Sequence, residues 1–270
     1  MKIFKNFEDL INGLEDRKNL GFVPTMGSLH KGHMSLIKKS KIRCRFTLVS
    51  IFVNPTQFNE KKDFQKYPRN LKKDISILKN LNVDYLFLPN SKIIYKKKSE
   101  MKIKIKNKFK VLCAKFRPGH FEGVLAVINK FLLNIKAKYM FLGEKDFQQV
   151  FLIKNFINKK FKTKIITCKT IRDKNKVALS SRNHLLNNKD LKNSSIIAKL
   201  LIAFKKKIKK KLKHRVKIHK LVDKINNLNK IKIEYLEIKN QNNLSNKYIK
   251  KNFRIFISYY NKNIRLIDNF

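Results

Sequence analysis

The sequence predicts an α/β fold, a parallel sheet with helices on both faces followed by a smaller α+β domain. Two observations carry this. Short apolar runs alternate with helix-length amphipathic segments through the first two thirds of the chain, the pattern of βα units. After Arg182 the style changes to two long helical patterns followed by strand-like runs, the order of a separate α+β unit. At 270 residues and 43% apolar content the chain has enough material for a proper core.

The elements follow in order. Gly21-Phe22-Val23-Pro24 is the end of a buried strand, broken by Pro24 and Gly27 before Met34-Ser35-Leu36-Ile37 starts a helical pattern over 32–43. Phe46 to Val53 is rich in β-branched and aromatic residues and stops at Asn54-Pro55. Further strands are predicted at 83–88, 139–143 and 164–170, with helices over 70–81, 121–135 and 147–158 between them. The lysine-rich stretch 91–110 has a weaker pattern and reads as a loop or an edge hairpin. Helices over 187–212 and 214–229 then precede strands at Ile231–Ile238 and Phe253–Tyr259. The predicted domains are 1–174 and 175–270, and there is no internal repeat.

Composition excludes several classes. The N-terminus lacks the apolar core of a signal peptide, and no apolar run is long enough to cross a bilayer, so a cytoplasmic protein without a membrane partner is expected. Cys44, Cys113 and Cys168 have no Cys-x-x-Cys spacing and read as buried free thiols rather than a disulfide framework or zinc site. The formal charge of +47 invites a nucleic-acid reading. The lysines are nevertheless dispersed and accompany abundant Asn, Ile and Phe, no Trp and only 7 Gly and 5 Pro, the residues of A- and T-rich codons. Coding bias explains them without a specific nucleic-acid partner. The runs Lys96-Lys97-Lys98 and Lys205 to Leu212 fit solvated faces, with Ile208 and Leu212 turned to a core.

The chemistry starts at Val23-Pro24-Thr25-Met26-Gly27-Ser28-Leu29-His30-Lys31-Gly32-His33. A helix starting directly after a parallel strand offers free backbone N–H groups and a positive dipole end to phosphate. Gly32 leaves room for a flat base or a phosphate against the backbone, and the spacing aims His30 and His33 at one anion. A single histidine is more often a satisfied core or surface residue; two around a glycine at a strand-to-helix turn are not. Just past the next strand, Asn54 and Gln57 lie where open α/β sheets bind ligands. Tyr67-Pro68-Arg69, Arg117-Pro118-Gly119-His120, Gly143-Glu144-Lys145-Asp146-Phe147-Gln148-Gln149 and Leu179-Ser180-Ser181-Arg182 follow, each abutting an apolar segment.

The His-x-Gly-His pattern resembles the signature of the nucleotidyltransferase superfamily, which also contains class I aminoacyl-tRNA synthetases. With the ordered motifs from Gly21 to Asn183, and Arg265-Leu266-Ile267-Asp268-Asn269 like a closing strand, the chain resembles the pantothenate synthetase family. That resemblance implies a Rossmann-like domain that binds ATP and pantoate, a C-terminal lid and a homodimer. The implied reaction is an ATP-dependent condensation of pantoate with β-alanine through a pantoyl adenylate, with Mg²⁺ on the triphosphate. Carried over residue by residue, Met26, Gly27, Ser28, Leu29, His30, Lys31, Gly32, His33, Gly143, Glu144, Lys145, Asp146, Ile171, Leu179, Ser180, Ser181 and Arg182 line the ATP site. Gln57 and Gln149 hold pantoate with Asn54 and Arg117 nearby, and no protein metal ligand is implied. His33 is the implied proton donor, and His30, Lys145 and Arg182 act on the phosphates. Val111 to Phe116 is an unusual approach to the Arg117 motif, and Asn and Lys replace much of the usual lid sequence.

Two other readings use the same residues. A plain adenylyltransferase would share the histidine turn, but the Asn54, Gln57 and Gln149 amides suit an acceptor with hydroxyls and one carboxylate. A tRNA-binding module predicts clustered basic residues interleaved with aromatics, whereas here the charge is diffuse.

Overall fold

The computed structural model describes residues 1–14, 18–95, 103–158, 160–210, 218–249 and 251–270. The chain divides into two compact units: Met1–Asn107 with Phe116–Thr170, and Lys108–Lys115 with Ile171–Phe270.

The first unit contains β1 (Lys2–Phe4), α1 (Phe7–Gly13), β2 (Leu20–Thr25), α2 (Lys31–Arg43), β3 (Phe46–Ile51), α3 (Lys61–Lys66), α4 (Leu71–Asn80), β4 (Tyr85–Phe87) and α5 (Ser91–Ile94). A short helix α6 (Cys113–Phe116) leads to α7 (His120–Ile135), β5 (Tyr139–Gly143), α8 (Phe147–Ile157) and β6 (Lys164–Cys168). Six strands pair in the order β1-β4-β3-β2-β5-β6, all parallel. Parallel strands buried on both faces read as nearly continuous apolar runs, as β2 and β3 do. Val23, Val49, Leu86 and Phe141 pack on one face with Leu36, Ile37 and Leu78 from α2 and α4. On the other face Phe131 of α7 stands edge-on to Phe22 and Phe87.

The sheet runs outward from β2 in two directions, through β3 and β4 on one side and β5 and β6 on the other. The C-terminal ends of β2 and β5 therefore flank the switch point, where open α/β sheets form their ligand crevice.

The second unit contains α9 (Asn188–Lys210), α10 (Ile218–Asn226), β7 (Ile231–Asn240), β8 (Phe253–Asn261) and β9 (Ile264–Asn269). The strands form an antiparallel sheet β7-β8-β9. Ile197, Leu201 and Ile208 of α9 and Leu221 and Ile225 of α10 pack with Ile231, Ile238, Ile255 and Ile257.

Several details depart from the sequence reading. β1 is a strand of three residues whose pattern is too short to show a period, and α1 and α3 are likewise short. Segment 91–110 forms neither a plain loop nor a hairpin among its described residues: it carries α5 and a 3₁₀ turn, Asn107–Phe109. The units divide at Thr170/Ile171, and Lys108–Lys115 belongs with the C-terminal unit. There Cys113 Sγ lies 3.0 Å from Tyr235 Oη, and Arg265, which pairs with Glu234, also reaches the sulfur. Cys44 and Cys113 are buried free thiols, while Cys168 is half-buried. Lys96–Lys98 and Leu212 lie outside the described residues.

Candidate active site

The turn from β2 to α2 is built from local hydrogen bonds and one distant carboxylate. Thr25 Oγ1 donates to Ser50 O at 2.8 Å and accepts from Gly27 N–H at 3.2 Å, tying the end of β2 to β3. Gly27 (φ 77°) and Ser28 (φ 50°) are both left-handed. Asp74 of α4, 2% exposed, accepts from Ser28 N–H through Oδ2 at 2.8 Å and from Leu29 N–H through Oδ1 at 2.7 Å.

His30 is the N-cap of α2 and His33 its third residue. His30 Nδ1 accepts from Gly32 N–H at 3.1 Å, and His33 Nδ1 accepts from His30 N–H at 3.4 Å. A backbone N–H can only donate, so Nδ1 is the bare nitrogen of each ring and Nε2 carries the proton. The ring centroids lie 4.1 Å apart. Burial, and then the neighbouring His30 ring, lower the His33 pKa to about 3, with Lys145 adding to the effect and Asp146 opposing it. His33 is therefore neutral at physiological pH, a hydrogen-bond donor through Nε2.

The N–H groups of Gly27, Ser28, Leu29, His30 and Gly32 all donate within the protein. The two imidazole Nε2–H groups add side-chain donors to the turn. Gly32 also makes room for the His30 ring: a Cβ there would lie 2.8 Å from His30 Cε1 and 2.9 Å from Nδ1.

On the other side of the switch point, Gly143 ends β5 and a 3₁₀ turn carries Glu144, Lys145 and Asp146 into α8. Lys145 Nζ sits 3.1 Å from Asp146 Oδ1. Loss of solvent pushes the Asp146 carboxyl upward, and the Lys145 ammonium, followed by the His33 and His120 rings, more than offsets this and holds it below its usual range. Lys145 and Asp146 lie near enough to His33 to act on its charge, so the Gly143–Asp146 motif neighbours the His30–His33 turn. Gln149 lies half-buried in the first turn of α8.

Gln57 is 8% exposed in a 3₁₀ turn (Pro55–Gln57) beyond β3. Its Oε1 accepts from Asn54 Nδ2 at 3.2 Å and its Nε2 lies 2.9 Å from Met26 Sδ, which fixes the amide and joins this turn to the histidine turn. Asn54 is fully engaged inside the protein: Nδ2 also donates to Gly123 O, and Oδ1 accepts from Thr56 and from the Tyr95 hydroxyl. Arg117 and His120 both donate to the Gln57 carbonyl, at 3.0 and 2.6 Å. His120 therefore carries its proton on Nδ1 and accepts at Nε2 from Arg117 Nη1, 3.2 Å away. Asn54, Arg117 and His120 thus hold the loop that presents Gln57.

The remaining candidates lie in the second unit. Ile171 and Leu179 close a hairpin through Leu179 N–H to Ile171 O at 3.0 Å, with an Arg172–Ala178 bridge inside it. Ser180 caps the 3₁₀ helix Ser181–Leu185, its Oγ accepting from Arg182 N–H at 3.3 Å. Ser181 is buried and Arg182 half-buried.

Sequence reasoning missed Asp74. Its signal was present: Leu71, Asp74, Ile75 and Leu78 share one helical stripe, and an acid on an apolar stripe is out of place unless paired.

The family model for pantoate-beta-alanine ligase matches residues 2–270. The chain belongs to this family. It is 42% identical to a pantothenate synthetase of Francisella tularensis subsp. mediasiatica over a 271-residue alignment, covering 98% of this chain and 94% of the relative. A crystal structure of pantoate-beta-alanine ligase from Francisella tularensis, complexed with beta-gamma ATP and beta-alanine, superposes with TM-score 0.85 at 40% identity, covering 100% of this chain and 97% of that one. The pantothenate synthetase of Thermus thermophilus superposes with TM-score 0.88 at 27% identity, covering 100% of this chain and 99% of that one. The α/β fold with a small antiparallel C-terminal sheet is thus the fold of this ligase family. Among the described residues, no helix is long and apolar enough to cross a membrane.

Proposed function

We propose that the chain is an ATP-dependent ligase that condenses pantoate with β-alanine, giving pantothenate, AMP and diphosphate through a pantoyl adenylate. The observation that carries this reading is the pair of tautomer-locked imidazoles beside Lys145 at the sheet's switch point, with the Gln57 amide fixed next to Met26.

In the first step a pantoate carboxylate oxygen bonds to the α-phosphorus of ATP and the bond to the diphosphate breaks. Negative charge grows on the phosphate oxygens, so the site needs fixed donors and cations more than a base. His30 and His33 supply Nε2–H donors, and Lys145 supplies a full charge. With its pKa lowered to about 3, the His33 imidazole is neutral and donates a hydrogen bond, and the family resemblance makes it the candidate proton donor. Arg182, with Ser180 and Ser181, adds a cation and hydroxyls to the triphosphate, and Met26 to His33, Gly143 to Asp146, Ile171 and Leu179 complete the ATP site. We assign Mg²⁺ to the substrate as MgATP, as the family resemblance implies. Bound there, it would neutralise charge on the triphosphate.

Gln57 and Gln149 hold pantoate. Neutral amides bond a hydroxyl and a carboxylate without cancelling the charge that must attack. Asn54 and Arg117 act by holding Gln57. In the second step the neutral amine of β-alanine attacks the acyl carbon, AMP leaves, and the amine proton passes to solvent. We extend the reading to a cytoplasmic homodimer with a C-terminal lid and no specific nucleic-acid partner.

Incubating purified protein with MgATP, pantoate and β-alanine tests this reading. Pantothenate and AMP are expected in equal amounts. Formation of ADP, or AMP without an amide product, contradicts it.

A further inference from the structure

We propose that Asp74 is a positioning residue of the nucleotide site, acting through the backbone of the turn that carries the two histidines. The inference rests on the reading of that turn as the ATP site. No sequence neighbour of the turn supplies this contact: Asp74 lies 46 residues from Ser28 and 45 from Leu29.

A carboxylate buried to 2% exposure needs donors for both oxygens. Asp74 finds them in two successive N–H groups, at 2.8 and 2.7 Å, just before the positive end of α2. Successive N–H groups of a turn form a concavity that takes an anion. Here a side chain fills it.

Two consequences follow. The left-handed conformation of Ser28, costly for a residue with a Cβ, is held by the carboxylate. The backbone at Leu29 is pinned one residue before His30, so the position of the imidazole pair depends on Asp74 although the carboxylate faces neither ring in a hydrogen bond. Ser28 and Leu29 give their N–H groups to Asp74, so neither donates to phosphate while the brace holds.

Asp74→Asn tests the role with almost no change of volume. An amide accepts from one of the two N–H groups and turns its own N–H₂ toward the other. The folded variant is expected to raise KM for ATP at least tenfold while KM for pantoate stays within twofold, and to lose most of the rise in Tm that MgATP gives the wild type. A loss of general structure would move both KM values together. Gly27→Ala provides a second variant, because its Cβ would lie 3.0 Å from Asp74 Oδ2, and the same split is expected. In wild-type protein, the Ser28 and Leu29 amides should exchange with deuterium as slowly as those of β2. A folded Asp74→Asn with wild-type KM for ATP, equal changes in both KM values, or rapid exchange at both amides overturns the proposal. A folded wild type that makes no pantothenate would instead defeat the proposed function and leave the amide-exchange result to decide on the brace.

Discussion

His30 fixes the tautomer of His33: the His30 N–H donates to His33 Nδ1 while the two rings lie 4.1 Å apart. Burial first, and then the His30 ring beside it, keep His33 neutral down to a pH of about 3.

A pH dependence of stability follows. In the unfolded chain His33 takes up a proton as pH falls through about 6.5, while in the folded protein it does not until about 3. Between these values the unfolded state binds more protons, so stability falls on acidification, by at most about 1.4 kcal/mol per pH unit from this residue. Chemical denaturation at pH 7 and pH 5 checks this. His33→Gln is expected to lose less stability across that interval than the wild type, and an equal loss would show that His33 is not the group responsible.

Lys145→Ala and His30→Ala should each slow adenylation on the order of a hundredfold or more, the usual cost of deleting a donor or charge aimed at a developing anion. Single-turnover formation of the adenylate measures it. Near-normal rates in folded variants would place the phosphates elsewhere.

Gln57→Ala is expected to weaken use of pantoate by about 1 to 3 kcal/mol, the cost of leaving buried polar partners unmet, with ATP binding little changed. Asn54→Ala should reproduce the same selective loss without itself touching substrate, since Asn54 Nδ2 holds Gln57 Oε1. Steady-state KM values for the two substrates separate the effects. Equal losses for ATP and pantoate in both variants would contradict the assignment.

The motif-bearing turns were legible because their chemistry is written in short spans. Gly27 follows the end of β2, which runs through Pro24 to Thr25, Asn54-Pro55 follows β3, and Gly143 ends β5, so the His30–His33, Gln57 and Lys145 motifs fall at C-terminal strand ends. What the sequence could not show depends on contacts between distant segments. Whether the Ser28 and Leu29 N–H groups are free is settled by Asp74 of α4, and the space at Gly32 is taken by a ring whose fold over the turn no local pattern encodes. That Asn54 and Arg117 also hold the Gln57 turn is a contact between distant segments of the same kind. β1 escaped notice because three residues cannot display alternation.

The central claim is that this site activates the carboxylate of pantoate as an adenylate, and isotope exchange between diphosphate and ATP tests it most directly. The first step is complete and reversible without the amine, so labelled diphosphate should enter ATP when MgATP and pantoate are present and β-alanine is withheld. Exchange that occurs without pantoate, or that fails with pantoate in folded protein, would contradict the account.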